Sequence, residues 1–126
     1  MANVLIVHDD AGFQFGLGRV LERAGYTAIL ASGVEEAKGR LERLGTRIDL
    51  VIGDPTLRGF VGFIDSVRKA EPFLPVIGVT TPGETLRSVF RNVDELIPKP
   101  DNFDDANATY WLDTVRRVLT WSITCF

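Results

Sequence analysis

The sequence predicts a doubly wound α/β domain, a five-stranded parallel sheet with helices on both faces. Two observations carry this. Short, continuous, β-branched apolar runs alternate with segments whose apolar residues repeat at helical spacing, and there are five of each along 126 residues. Strands buried on both faces read as unbroken apolar runs rather than as alternating ones. Alternation with helices then implies βαβ units joined by right-handed crossovers.

The elements follow in order. Val4 to Val7 form the first strand, which stops at His8-Asp9-Asp10. Phe13, Leu17, Val20, Leu21 and Ala24 line the first helix, and Gly25 ends it. Tyr26 to Ala31 form the second strand. Ser32 and Glu35 have the S-x-x-E spacing of a capping box, opening a helix that buries Val34, Ala37, Leu41 and Leu44 before Gly45. Leu50 to Gly53 form the third strand, running into Asp54-Pro55, and Phe63, Ile64 and Val67 share one side of the next helix.

Pro72 and Pro75 bracket that helix's exit. The fourth strand is Val76 to Thr80, ended by Thr81-Pro82-Gly83, and a short helix is expected over roughly Glu84 to Asn92. Glu95 to Ile97 form the fifth strand, followed by Pro98-Lys99-Pro100. Asp101, Asp104 and Asp105 suit the positive end of a last helix, which carries Trp111, Leu112, Val115, Val118 and Leu119. Tyr110, Trp111 and Trp121 are expected in the core as helix-spaced aromatics, the competing reading being an apolar partner surface.

Composition narrows the function classes. Residues 1–126 suit one domain, and 45% apolar with 25% charged residues is ordinary for a globular protein with a full core. Apolar runs of four or five residues are too short to cross a bilayer, no secretory pattern opens the chain, and one cysteine, Cys125, fits a reducing compartment. A cytoplasmic protein is expected. Fourteen bases and 17 acids, net −3, are spread without a basic block, so neither direct nucleic-acid binding nor a membrane surface is expected.

In open parallel sheets, ligands sit beyond the carboxyl ends of the strands. His8 and Asp9 end the first strand, Asp54 the third, Thr80 the fourth and Lys99 the fifth. Singly, each has an ordinary explanation: an acid as a helix cap or turn residue, Thr80 as a strand residue, Lys99 as a solvated loop lysine. Jointly they place carboxylates, a hydroxyl and an ammonium on one edge. Carboxylates from two strand ends can hold one Mg²⁺, and a phosphoryl group on Asp54 would then be flanked by the ion and Lys99.

The segments VLIVHDD, DLVIGDPTLRGFVG, PVIGVTT and ELIPKP, in that order, resemble the response-regulator receiver domains of two-component signalling across essentially the whole chain. The resemblance implies a flavodoxin-like, chemotaxis-type fold with strand order 2-1-3-4-5. It implies Asp54 as phosphoacceptor and Mg²⁺ held by Asp9, Asp54 and the carbonyl of Thr56, with His8 or Asp10 as a further candidate. Thr80 corresponds to the switch hydroxyl, with Thr81 beside it, Lys99 to the phosphate-binding lysine, and Gly62 to a glycine eight residues past the acceptor. The implied partners are a sensor histidine kinase or phosphotransfer protein upstream and another protein downstream.

Several positions depart from the family. His8 stands where a second acid is usual, which predicts weaker Mg²⁺ binding that worsens toward low pH, the plainer alternative being that it packs over the strand end. Pro55 follows the acceptor, and Arg58 replaces a common proline. The stretch from Thr80 to Lys99 is about one helical turn short by comparison with the family, and Leu96 occupies a position where receivers often carry Tyr or Phe. These departures motivate a second reading, a degenerate receiver that binds partners without phosphorylation. A hydrolase with Asp54 as nucleophile lacks an evident second acid, since Thr56 stands where the D-x-D phosphatases carry one. Gly16-Leu17-Gly18 lies within a helix and lacks the third glycine of a dinucleotide loop.

Overall fold

A computed structural model describes residues 2–44, 47–81 and 93–124; of Leu44 and of residues 121–124 the backbone alone is described. Its elements are β1 (Asn3–Val7), α1 (Ala11–Arg23), β2 (Thr27–Ala31), α2 (Val34–Leu44), β3 (Leu50–Gly53), α3 (Phe60–Ala70), β4 (Val76–Thr80), β5 (Glu95–Pro98) and α4 (Asp105–Thr124). The helix expected over Glu84 to Asn92, the closing Gly45, Cys125 and the side chains of Leu44 and Trp121 lie outside this description.

The five strands form one parallel sheet in the order β2-β1-β3-β4-β5, as expected. Both faces are covered, and the alternation of side chains along each strand sorts them between two cores. Val4, Ile6, Leu50, Ile52, Ile77, Val79 and Ile97 face α1 and α4, packing with Phe13, Leu17, Leu21, Trp111 and Val115. Leu5, Val7, Val51 and Val76 face α2 and α3, packing with Val34, Ala37, Phe60, Phe63 and Ile64. This double burial is why the strand sequences are continuously apolar.

Burying each such side chain contributes about 1.5–3 kcal/mol. Exposed ion pairs such as Lys38–Glu35 at 3.6 Å and Arg116–Asp113 at 3.8 Å contribute about 0–1 kcal/mol each, so the two apolar layers hold the fold.

Two expectations need correction. Ser32 does not pair with Glu35 in a capping box. Its hydroxyl donates to Glu36 Oε2 at 3.0 Å and its N–H to Oε1 at 3.4 Å, while Glu35 meets Lys38. The reason is register: α2 begins at Val34, one residue later than the box requires, which puts Glu36 rather than Glu35 at the third helical position. Second, Trp111 is buried as expected, but Tyr110 is 51% exposed. Adjacent helical residues point about 100° apart, so the inward face that takes Trp111 turns Tyr110 out.

The Gly16-Leu17-Gly18 sequence has a packing role. A Cβ on Gly16 would lie 2.5 Å from the Phe103 ring, so its absence lets the β5–α4 loop rest on α1. Leu17 is buried in the core, and Gly18 faces Leu30 and Ala28 of β2.

Candidate functional site

Register fixes the site. Val7 pairs with Gly53, and Asp54 N–H donates to Val7 O at 3.1 Å, so His8 and Asp54 emerge side by side beyond the carboxyl edge of the sheet. On the other flank, Thr80 pairs with Pro98, and Lys99 N–H donates to Thr80 O at 2.8 Å. Gly53 makes this approach possible, since a Cβ there would lie 2.9 Å from Val7 O and 2.5 Å from the Phe60 ring.

Asp54 is buried. Its Oδ1 accepts from Thr56 N–H at 2.9 Å and from Thr56 Oγ1 at 2.6 Å, and neither bond uses Oδ2. The carboxylate is therefore oriented through one oxygen by the loop that follows it. Pro55 removes only its own N–H, and the Thr56 N–H remains as a donor.

His8, Asp9 and Asp54 each bring one ligand-type atom within 4.8 Å of the others. His8 is buried and Asp9 exposed. His8 Nδ1 lies 3.5 Å from Asp9 Oδ1, which would suit an ion pair if the imidazole were charged. The same nitrogen accepts the Asp10 N–H at 3.0 Å, and that bond needs its lone pair. The ring is therefore assigned as neutral, with its proton on Nε2. Burial lowers the His8 pKa below its ordinary 6.5, against the opposing pull of Asp54 and Asp9. At neutral pH His8 thus removes a negative charge from the site without adding a positive one, and weakening by protonation is displaced below pH 6.5.

Asp10 does a different job from Asp9. Its Oδ1 accepts Phe13 N–H at 3.1 Å, capping α1, and its Oδ2 is bonded by the Lys99 ammonium. The Lys99 hydrogen bond and then the Phe13 N–H hold the Asp10 carboxyl below the usual carboxylate range. Thr80 is half-buried at the end of β4, and Thr81 is exposed. Leu96 lies over Gly78 next to Pro55 and is 44% exposed, an aliphatic side chain at the position noted for its missing ring. Arg58 is exposed in the β3–α3 loop, and Gly62 stands in the first turn of α3.

The sequence reading missed Gln14. Its buried side-chain amide donates to both His8 O and Ala31 O, tying the ends of β1 and β2 to α1 behind the site. The signal was present: Gln14 falls in the inward stripe Phe13, Gln14, Leu17, Gly18, Leu21, where a polar side chain must find partners. The His8 ring packs at a 43° tilt against Phe13, centroids 4.7 Å apart, and Phe13 in turn meets Phe103 and Trp111, each at 5.8 Å.

Two carboxylates from separate strand ends fit a hard divalent cation, although the third donor is a nitrogen. Beside them a groove of about 480 Å³ runs between Asp10, Gly12 and Gly16 of one wall and Thr81, Lys99 and Phe103 of the other. Among the described residues, no helix is long and apolar enough to cross a membrane.

No protein-family model and no curated protein matches the chain. Solved structures do. NtrX from Brucella abortus, in its ADP complex, matches over 97% of this chain with TM-score 0.79 and 25% identity, and the chain spans 27% of that protein. A CheY-like response regulator receiver domain protein from Methanospirillum hungatei JF-1 matches over 97% of this chain and 96% of its own, with TM-score 0.78 and 24% identity. The chemotaxis response regulator CheY4 of Vibrio cholerae matches over 94% of this chain and 98% of its own, with TM-score 0.73 and 25% identity. Structural neighbours over nearly the whole chain are thus response regulator receiver domains of the CheY-like type.

Proposed function

We propose that residues 1–126 act as a cytoplasmic receiver in a two-component phosphorelay, with Asp54 as the phosphoacceptor. The observation that carries this reading is the convergence of Asp54, Asp9 and His8 within 4.8 Å at the carboxyl edge of the sheet. Asp54 presents Oδ2 while Thr56 holds Oδ1. In the proposed reaction a carboxylate oxygen of Asp54 attacks phosphorus in a phosphohistidine of a sensor kinase or phosphotransfer protein. The P–O bond forms as the P–N bond breaks, and the imidazole leaves neutral, keeping the proton already on its other ring nitrogen.

Asp9, Asp54 and the carbonyl of Thr56 would hold Mg²⁺, which supplies charge neutralisation for the transferring phosphoryl group. Lys99 would supply a positive charge from the opposite flank, and Thr56 N–H, which donates to Asp54 Oδ1, would pass to a phosphoryl oxygen. Thr80 and Thr81 would turn their hydroxyls toward the modified Asp54, and the altered surface then binds a downstream protein. The acyl phosphate carries about two negative charges where the carboxylate carried one, and this gain of about one charge competes with Asp10 for Lys99.

Incubation with acetyl phosphate and Mg²⁺, followed by intact-mass measurement, tests this. One phosphoryl adduct is expected on the wild type and none on Asp54→Asn. No adduct on the wild type, with Mg²⁺ or with another divalent ion in its place, or an adduct that persists in the variant, overturns the reading.

The neutral His8 in the donor set and the half-exposed Leu96 favour a second reading, in which the chain binds its partner without phosphorylation. Partner binding equal for the wild type and Asp54→Asn, with or without acetyl phosphate, would support it.

A further inference from the structure

We propose that His8 makes this site selective for a divalent transition metal over Mg²⁺, serving as a nitrogen ligand beside Asp9 and Asp54. The inference rests on reading this edge as a metal-dependent receiver site, and it specifies which ion the edge takes.

Two observations support it, and a third sets what ligation must give up. A nitrogen of His8 and a carboxylate oxygen from each of Asp9 and Asp54 lie within 4.8 Å of one another, close enough to share one ion. The imidazole is buried and fixed: its ring packs against Phe13 with centroids 4.7 Å apart and planes tilted by 43°, and its backbone carbonyl is held by Gln14. The third donor at this edge is therefore a positioned nitrogen rather than a mobile surface group. Finally, Nδ1 is held by the Asp10 N–H at 3.0 Å. Ligation through Nδ1 exchanges that bond for a metal bond, and because Asp10 is half-exposed its N–H can pass to water.

Mg²⁺ is hard, prefers oxygen and dehydrates reluctantly, so a buried imidazole offers it little. Imidazole suits iron, nickel, copper and zinc, with cobalt between iron and nickel in the affinity order, whereas carboxylate and water suit Mg²⁺. Most nitrogen and oxygen sites rank the later transition metals above Mg²⁺, so preference alone proves nothing. The diagnostic quantity is how far that preference depends on residue 8.

Calorimetric titration of the wild type, His8→Asp and His8→Asn with Mg²⁺ and Co²⁺ measures it. The Mg²⁺/Co²⁺ ratio of dissociation constants is expected to fall at least tenfold in both variants, with tighter Mg²⁺ binding in His8→Asp. Pulsed electron paramagnetic resonance of the Mn²⁺-loaded wild type should show coupling to an imidazole nitrogen. An unchanged ratio, absence of that coupling, or Co²⁺ binding undiminished in Asp9→Asn overturns the proposal. Where a His8 variant fails to fold by circular dichroism, the wild-type nitrogen coupling decides.

Adduct formation from acetyl phosphate, run in parallel with each ion, separates the two readings. An adduct with an unchanged ratio removes the metal preference and leaves the receiver. A residue-8-dependent ratio with no adduct under any ion removes the receiver and leaves the metal site.

Discussion

Lys99 and Asp10 are joined across the carboxyl edge of the sheet, the ammonium of the β5–α4 loop bonded to the carboxylate that caps α1. The two residues are 89 positions apart in the chain. The lysine proposed to meet a phosphoryl group is thus already engaged by a carboxylate, and Asp10 competes with Asp54 for it.

Replacing Asp10 with Asn separates its two roles. Asparagine keeps a capping oxygen for Phe13 N–H, so stability should change by less than about 0.5 kcal/mol. The charge that holds Lys99 is gone, and adduct formation from acetyl phosphate should accelerate roughly three- to tenfold, a barrier change on the order of 1 kcal/mol. Asp10→Ala loses the cap as well and should cost about 1 kcal/mol in urea unfolding. A rate for Asp10→Asn at or below the wild type would show that the pair does not restrain Lys99.

Gln14→Leu keeps an inward side chain of similar size but leaves His8 O without its amide partner. Ala31 O keeps the His8 N–H at 3.0 Å. A loss of roughly 1–3 kcal/mol in equilibrium unfolding is expected. Unchanged stability would mean that water takes over the vacated carbonyl.

Gly53→Ala places a methyl against Val7 O, a backbone atom that cannot turn away, and against the buried Phe60 ring. Overpacking of this kind should cost about 2–3 kcal/mol. The preceding β1–β3 register also sets Asp54, so adduct formation should fall as well. A melting temperature within about 1 °C of the wild type would contradict the predicted clash.

The Ser32–Glu36 contact predicts a pH effect. The Ser32 hydroxyl, with help from Arg40, holds the Glu36 pKa below its ordinary 4.5. The folded state therefore binds fewer protons than the unfolded state just below pH 4.5. Its contribution is complete above that pH and is lost as the pH falls through the lowered value. Urea unfolding between pH 3 and 6 should show a shallower acid-side decline in Ser32→Ala than in the wild type. Parallel profiles would remove the contact as a source of acid sensitivity.

Much of the fold is legible in the sequence because burial on both faces of a parallel sheet leaves a pattern that single segments display. The runs Val4 to Val7 and Leu50 to Gly53 are apolar throughout because successive side chains enter two different cores. The strand ends were legible too, since polar residues must sit where the sheet stops. The cap of α2 was not, because Glu35 and Glu36 differ by one register step that only the helix start decides.

The sequence by itself determined the five-stranded α/β architecture and the residues that reach its carboxyl edge, because periodicity and chain order are local properties. Tertiary structure decided which of those residues meet. It gave Asp10 to Lys99 rather than to the cluster of His8, Asp9 and Asp54, kept His8 neutral by burying it, and brought in Gln14. Each outcome depends on distances between strands and helices far apart in the chain, and on how much water remains between them.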